Sequence, residues 1–185
     1  AWLVFPVLGA LLAVPQGHNL IDLYTSAPKE SLLTMFFGVL WGVGGLTFGL
    51  SMRYLGVALG QSIALGTCAG LGTIMGPVLL NVFFPELNAL QSLTAAVIIG
   101  VIVTLIGIAI IGVAGGMKAA SLSEEEKKEA VKDFNFPKGL AIALLAGFMS
   151  GCFNVGLEFG KDLNFGELTH PMFRTLPATL LVTIG

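Results

Sequence analysis

The feature that most constrains this chain is the length of its uncharged stretches. No Asp, Glu, Lys or Arg occurs between Glu30 and Arg53, Arg53 and Glu86, Glu86 and Lys118, or Lys138 and Glu158. A helix needs about 20 mostly apolar residues to cross the hydrocarbon core of a bilayer, and each of these intervals holds 19 or more. Transmembrane β-strands would instead show segments of about ten residues alternating with a period of two. The runs are continuous and twice that long, so they predict helices. Charged residues make up 11% of the chain, against about 25% in an ordinary soluble domain. A soluble domain of this size would bury about two thirds of its surface and still need a polar skin. Twenty charged residues, half of them crowded into 118–138, cannot supply one. With a mean hydropathy of +0.91, the chain reads as an all-α polytopic membrane protein, with the lipid bilayer as its main partner.

Charge positions divide the chain. Spans are expected near 31–52, 57–80, 93–116 and 139–158, with partial ones near 1–14 and 175–185. Because it starts and stops inside apolar stretches, the sequence reads as an internal piece of a longer protein. The hydrophilic segment 118–138 separates residues 1–117 from 139–185. It contains Ser123-Glu124-Glu125-Glu126, a capping-box start, and Glu124 and Lys128 at helical spacing, which predict a short surface helix. With alternating spans, Arg53, Lys118, Lys127, Lys128, Lys132 and Lys138 share one side, and Lys29, Lys161 and Arg174 the other. Basic residues favour the cytoplasmic side. The 118–138 loop is therefore expected inside, and Asp22, Glu86 and Asp162 outside.

Glycine is abundant, 25 of 185 residues, nearly twice the usual share of about 7%. Eight pairs stand four residues apart: 38/42, 45/49, 56/60, 66/70, 72/76, 112/116, 147/151 and 156/160. Small faces of this kind let helix backbones approach closely where lipid gives no hydrophobic drive for association. They suit plain bundle packing and also helices that rock or slide during transport.

Several residues inside the runs are unusual for hydrocarbon. Trp41 sits mid-run beside Gly38, Gly42, Gly44 and Gly45, whereas Trp usually marks the interface. It reads either as a stacking platform for a sugar face or as a space filler beside glycines. Gln61, Ser62, Thr67, Thr73, Ser150 and Asn154 must find partners or face a wet cavity, although Ser and Thr can bond back to their own helix. Pro77, after Gly76, predicts a kink. Glu158 abuts a span and is the candidate for a group that changes charge in a transport cycle, though a solvated helix end would look the same. His18 and His170 read as loop residues.

No H-E-x-x-H, Walker loop or paired-cysteine motif occurs, nor a Ser, His and Asp set within the spans. No enzyme, metal site or cofactor is expected. Cys68 and Cys152 lie inside apolar runs and do not suggest a secreted disulfide framework. The net charge of -2, with no basic stripe, points away from nucleic acid.

Residues 36–56, FFGVLWGVGGLTFGLSMRYLG, continue as VALGQSIALGTCAGLGTIMGPVLLN to Asn81. This stretch resembles the L-rhamnose-proton symporter family of the drug/metabolite transporter superfamily, most specifically in MRYLG and the glycine-rich span after it. Weaker similarity continues through Phe136-Pro137-Lys138-Gly139-Leu140 and Pro171 to Gly185. The resemblance implies a bacterial inner-membrane carrier of about ten spans in two inverted repeats of five, joined by the 118–138 loop. Residues 1–117 would end the first repeat and 139–185 begin the second. It further implies proton-coupled uptake of L-rhamnose or a related sugar, with a proton as the coupling ion. On that map the substrate-binding candidates are Trp41, Gly45, Thr47, Gln61 and Asn154, and Glu158 is the proton-coupling candidate. Some family members carry Asn at the positions of Gly45 and Thr47 and Tyr at that of Phe48. An exporter of another small molecule and a non-transporting scaffold subunit are the alternative readings.

Overall fold

The computed structural model describes residues 4–12, 14–121, 123, 133–168 and 170–185. Among the described residues there are helices and no strands. We label the helices α1 (Val4–Leu12), α2 (Leu20–Ser26), α3 (Pro28–Leu55), α4 (Val57–Phe83), α5 (Ala95–Ser121), α6 (Phe136–Gly160) and α7 (Leu176–Ile184). Four of them, α3 to α6, are long and apolar enough to cross a membrane.

Local chemistry sets where the helices begin and end. α3 starts on Pro28, whose missing N–H is harmless in a first turn. It stops at Gly56, which has φ +80°, a backbone conformation that side chains disfavour. The Gly56 N–H donates to the Met52 carbonyl at 2.8 Å, and α4 begins at the next residue. The helix then runs unbroken through Pro77, so the kink expected there does not end or divide it. Two 3₁₀ turns, Pro85–Leu87 and Ala89–Ser92, follow on either side of the left-handed Asn88. α5 extends through Lys118 to Ser121, which places that lysine on a helix rather than in the loop. Asn135 caps α6, its side-chain oxygen accepting from the Lys138 N–H at 3.1 Å. The surface helix expected from Ser123 onward falls on 124–132, outside the described residues.

α6 is seated in the groove between α3 and α4, and its interfaces with those two helices are the most extensive in the molecule. Glycine makes this possible. A Cβ at Gly147 would stand 2.5 Å from the Ala64 carbonyl oxygen and from Thr67 Cβ. A Cβ at Gly151 would stand 3.2 Å from Gly72 Cα, and one at Gly44 2.9 Å from the Ser150 nitrogen. α7 packs against both α3 and α6, where Gly38 meets the Val182 carbonyl and Gly160 faces Ala178 and Thr34. In lipid, such backbone-to-backbone packing replaces the hydrophobic drive as the source of association. α5 lies outside this core, against α4, with Ile108 over Gly66 and Leu105 over Gly70.

Two apolar clusters mark the two ends of the α3–α4–α6 unit. Leu55, Ile63, Ala64, Ala143 and Ala146 pack at one end. Phe37, Leu80, Phe84, Cys152, Val155 and Phe159 pack toward the other, where Phe37 and Phe159 stack with ring centroids 5.4 Å apart. α2 ties in through Tyr24, whose hydroxyl donates to the Pro177 carbonyl at 3.0 Å. Burial pushes that phenol up to about 12.

Candidate functional site

Most hydroxyls at membrane depth are satisfied by their own helix. Thr47 donates to the carbonyls of Val43 and Gly44, Ser51 to Phe48, Ser62 to Ala58 and Thr73 to Ala69, at 2.7–3.2 Å. Thr34 and Thr67 differ: both are buried, with no partner for the hydroxyl oxygen. A buried hydroxyl without a partner costs about 1–3 kcal/mol, so these two mark places where close packing outweighed polar satisfaction.

The sequence-selected residues fall in three places. Asn154 and Glu158 lie one turn apart on α6 and face a matching pair of glycines on α4. The Asn154 amide nitrogen would be 3.3 Å from a Cβ at Gly72, and Glu158 Cγ 3.4 Å from one at Gly76. Trp41 is half-buried on α3, its ring against Phe153 with centroids 4.8 Å apart and planes at 51°. Gly45, a turn further along α3, borders open space, and Thr47 follows with its hydroxyl already engaged. Gln61 is exposed. Eleven residues separate it from Gly72, or roughly 16 Å along α4 at about 1.5 Å per residue. The structure thus brings Asn154 and Glu158 together at the exposed edge of the α4–α6 seam, sets Trp41 on the neighbouring seam, and leaves Gln61 toward the opposite end of the bundle.

Glu158 also reaches a half-open cleft of about 230 Å³. Ala27 and Glu30 line it from the start of α3, and Leu80, Phe84 and Glu86 from the end of α4. Glu158, Phe159, Asp162 and Leu163 line it from the end of α6. Alternation of the spans puts Glu86 and Asp162 on one face of the membrane, and Glu30 and Glu158 flank spans that end on that face; what it does not show is that the four acids line one cleft.

Two lysines offset part of this negative charge. Lys161 stands 3.5 Å from Glu158. Lys29 donates to the Phe83 carbonyl at 2.8 Å and lies 4.0 Å from the centroid of the Phe84 ring. The latter position suits a cation at the end of α4, where the helix dipole is negative. Glu30, Glu86, Glu158 and Asp162 bring hydrogen-bond acceptors to the cleft, while the Phe84 and Phe159 rings that line it are almost fully buried. The volume falls below the range of about 300 Å³ and up occupied by drug-sized ligands. No group of three or more His, Cys, Asp or Glu among the described residues has the geometry to hold a metal ion.

Four long apolar helices packed through glycine, with polar groups in their seams and a half-open cleft at one end, define a multi-pass helical membrane protein. Residues 1–182 match the model of the L-rhamnose-proton symport protein (RhaT) family, and the chain belongs to that family. It is 31% identical over 191 residues to the L-rhamnose-proton symporter of Shigella boydii serotype 18. It is 30% identical, over the same length, to that of Escherichia coli strain 55989. In both cases all of this chain is covered but 52% of the relative, so the chain spans about half the length of the curated relatives it matches. These relatives are named as symporters, not enzymes. No solved structure matches it.

Proposed function

We propose that the whole protein is a proton-coupled symporter that brings L-rhamnose or a related sugar across the bacterial inner membrane. The observation that carries this reading is the family match over residues 1–182. Ten spans in two inverted repeats accommodate the fragment, with α1 to α5 ending the first repeat and α6 and α7 opening the second. The lysine and arginine count puts segment 118–138 in the cytoplasm and the acidic cleft on the outer face.

In this mechanism sugar enters through the cleft, where carboxylates accept from its hydroxyls. Trp41, Gly45, Thr47 and Asn154 border its passage deeper between the helices, and Gln61 belongs to the inner end of that route. Glu158 takes up the coupling proton. Protonation removes its charge and frees Lys161, so the ion pair at the end of α6 is broken in the loaded carrier.

The test is uptake of labelled L-rhamnose by cells expressing the whole protein, with and without a protonophore. Accumulation that collapses with the proton gradient is expected; no uptake from protein shown to be in the membrane would overturn the assignment. Glu158→Gln is expected to retain sugar exchange and lose accumulation against a gradient. Trp41→Ala is expected to lower uptake about tenfold, as loss of a stacking contact of roughly 1–1.5 kcal/mol would; unchanged uptake at equal protein level would remove Trp41 from the route.

A further inference from the structure

The MRYLG motif at 52–56 lies far from the acidic cleft, yet it meets the segment that leads into α6 through four separate contacts. Arg53 Nε stands 2.6 Å from Asp133 Oδ2. The Tyr54 carbonyl accepts from the Asn135 N–H at 3.1 Å, and Lys138 Nζ lies 4.5 Å from the centroid of the Tyr54 ring. Leu55 and Tyr54 close on Gly139, where a Cβ would stand 2.6 Å from Leu55 Cγ and 2.9 Å from Tyr54 Cβ. Directly inside these contacts sits the buried cluster of Leu55, Ile63, Ala64, Ala143 and Ala146.

We propose that Arg53, Tyr54, Asp133 and Lys138 form a latch that holds α3 against α6 at this end while the acidic cleft is open at the other. The proposal rests on the transport reading above and adds a named device to it. Three observations carry it. The contacts join α3 to α6 and its lead-in through an ion pair and a hydrogen bond, whereas further along the α3–α6 seam Gly44 meets backbone, Gly160 meets Thr34 and Phe37 stacks on Phe159. They are polar and mostly exposed, Arg53 by 67% and Asp133 by 44%. Such contacts are individually weak, so they suit an assembly that must open in every cycle better than a permanent staple would. Gly139 closes directly on Leu55 and Tyr54 at this end, whereas the cleft beside Glu30, Glu86 and Glu158 is half-open at the other.

The latch is tested in the whole protein with a buried reporter, Ala143→Cys, in a background lacking Cys68 and Cys152. A water-soluble maleimide is applied to membranes opened so that both faces are wet. Arg53→Gln combined with Lys138→Gln is expected to raise the labelling rate up to about tenfold, because two weak contacts each shift the closed population a few-fold. Arg53→Asp alone is expected to raise labelling likewise, and Arg53→Asp with Asp133→Arg to restore it. If Arg53→Gln fails to reach the membrane, Asp133→Asn breaks the same pair from the other partner. Labelling that stays at the parental rate in these variants overturns the latch, as does a charge exchange that gives no restoration. Labelling is read without sugar, so a failure of the rhamnose assignment would show in uptake alone and leave this result standing.

Discussion

α5 and α6 have nearly the same length but opposite surroundings. α5 is the more aliphatic, and its Ile99, Val103, Ile110 and Val113 side chains are more than 60% exposed. α6 carries Ser150, Asn154 and Glu158, yet Ala143, Ala146 and Val155 are fully buried. In a soluble protein the more apolar helix would be the central one; here it is the peripheral one. Glycine behaves differently too. Gly100, Gly107 and Gly112 of α5 border open space, whereas Gly147, Gly151, Gly156 and Gly160 of α6 each touch a neighbouring helix. Small residues therefore mark the interior of this bundle, while large aliphatic ones mark its outside. α6 tolerates polarity but not volume, and α5 the reverse.

The largest effect should come from volume added to α6. Gly147→Ala places a methyl against the Ala64 carbonyl and Thr67, and overpacking of this kind costs about 3 kcal/mol. Thermal unfolding of the purified whole protein is expected to show it, and an unchanged midpoint would break the comparison. A charge on α5 should come close behind. Ile110→Lys is expected to cost about 3 kcal/mol of insertion if this face meets hydrocarbon, read as loss of membrane-integrated protein. A neutral outcome would mean that another part of the protein covers α5 with polar groups. Adding only volume there should reverse the sign: Gly107→Ala has open space and gains helix propensity, for a stabilisation of up to about 1 kcal/mol. Thr67→Val removes an unpaired hydroxyl from the α4–α6 seam at nearly constant shape and is expected to be neutral or stabilising by up to about 1 kcal/mol. A clear loss would reveal a partner for that hydroxyl in another conformation.

A comparably small effect belongs to the clasp beside α7. Tyr24→Phe loses one hydrogen bond and should cost about 1 kcal/mol. Burial raises this phenol from its ordinary 10.0 to about 12. The folded form thus holds the proton more tightly than the unfolded one, and the associated stability is complete below pH 10 and is lost as pH rises through 12. Phenolate absorbance of the parent against Tyr24→Phe checks the shift; titration near 10 would contradict it.

The helical class was legible because charge is confined to short segments: Glu30, Arg53, Glu86 and Glu158 each stand at or near a helix end. Glycine spacing was legible as faces but not as partners. Gly72 and Gly76 do meet α6, and Gly66 and Gly70 meet α5, whereas Gly45 and Gly49 with identical spacing border open space. Periodicity defines a stripe along one helix and carries no information about what lies across from it. The acidic cleft was hidden for a related reason. Glu30, Glu86, Glu158 and Asp162 are up to 132 positions apart, and only the alternation of the spans, followed through three helices, brings them to one end. Trp41 shows the same limit: its depth in the run could be read, but its seat on Phe153 depends on the rotation of two helices about their axes.

Gly56 has one further consequence. A connection of one residue contributes only two soft torsions, so α3 and α4 cannot slide past each other along their lengths; their relative freedom is angular. Any change in the angle between α3 and α4 must then pivot at the Arg53 end. The pair behaves as a hairpin pivoting on a single joint, with small rotations there becoming the largest translations some 25 residues away, at the carboxylates of Glu30 and Glu86.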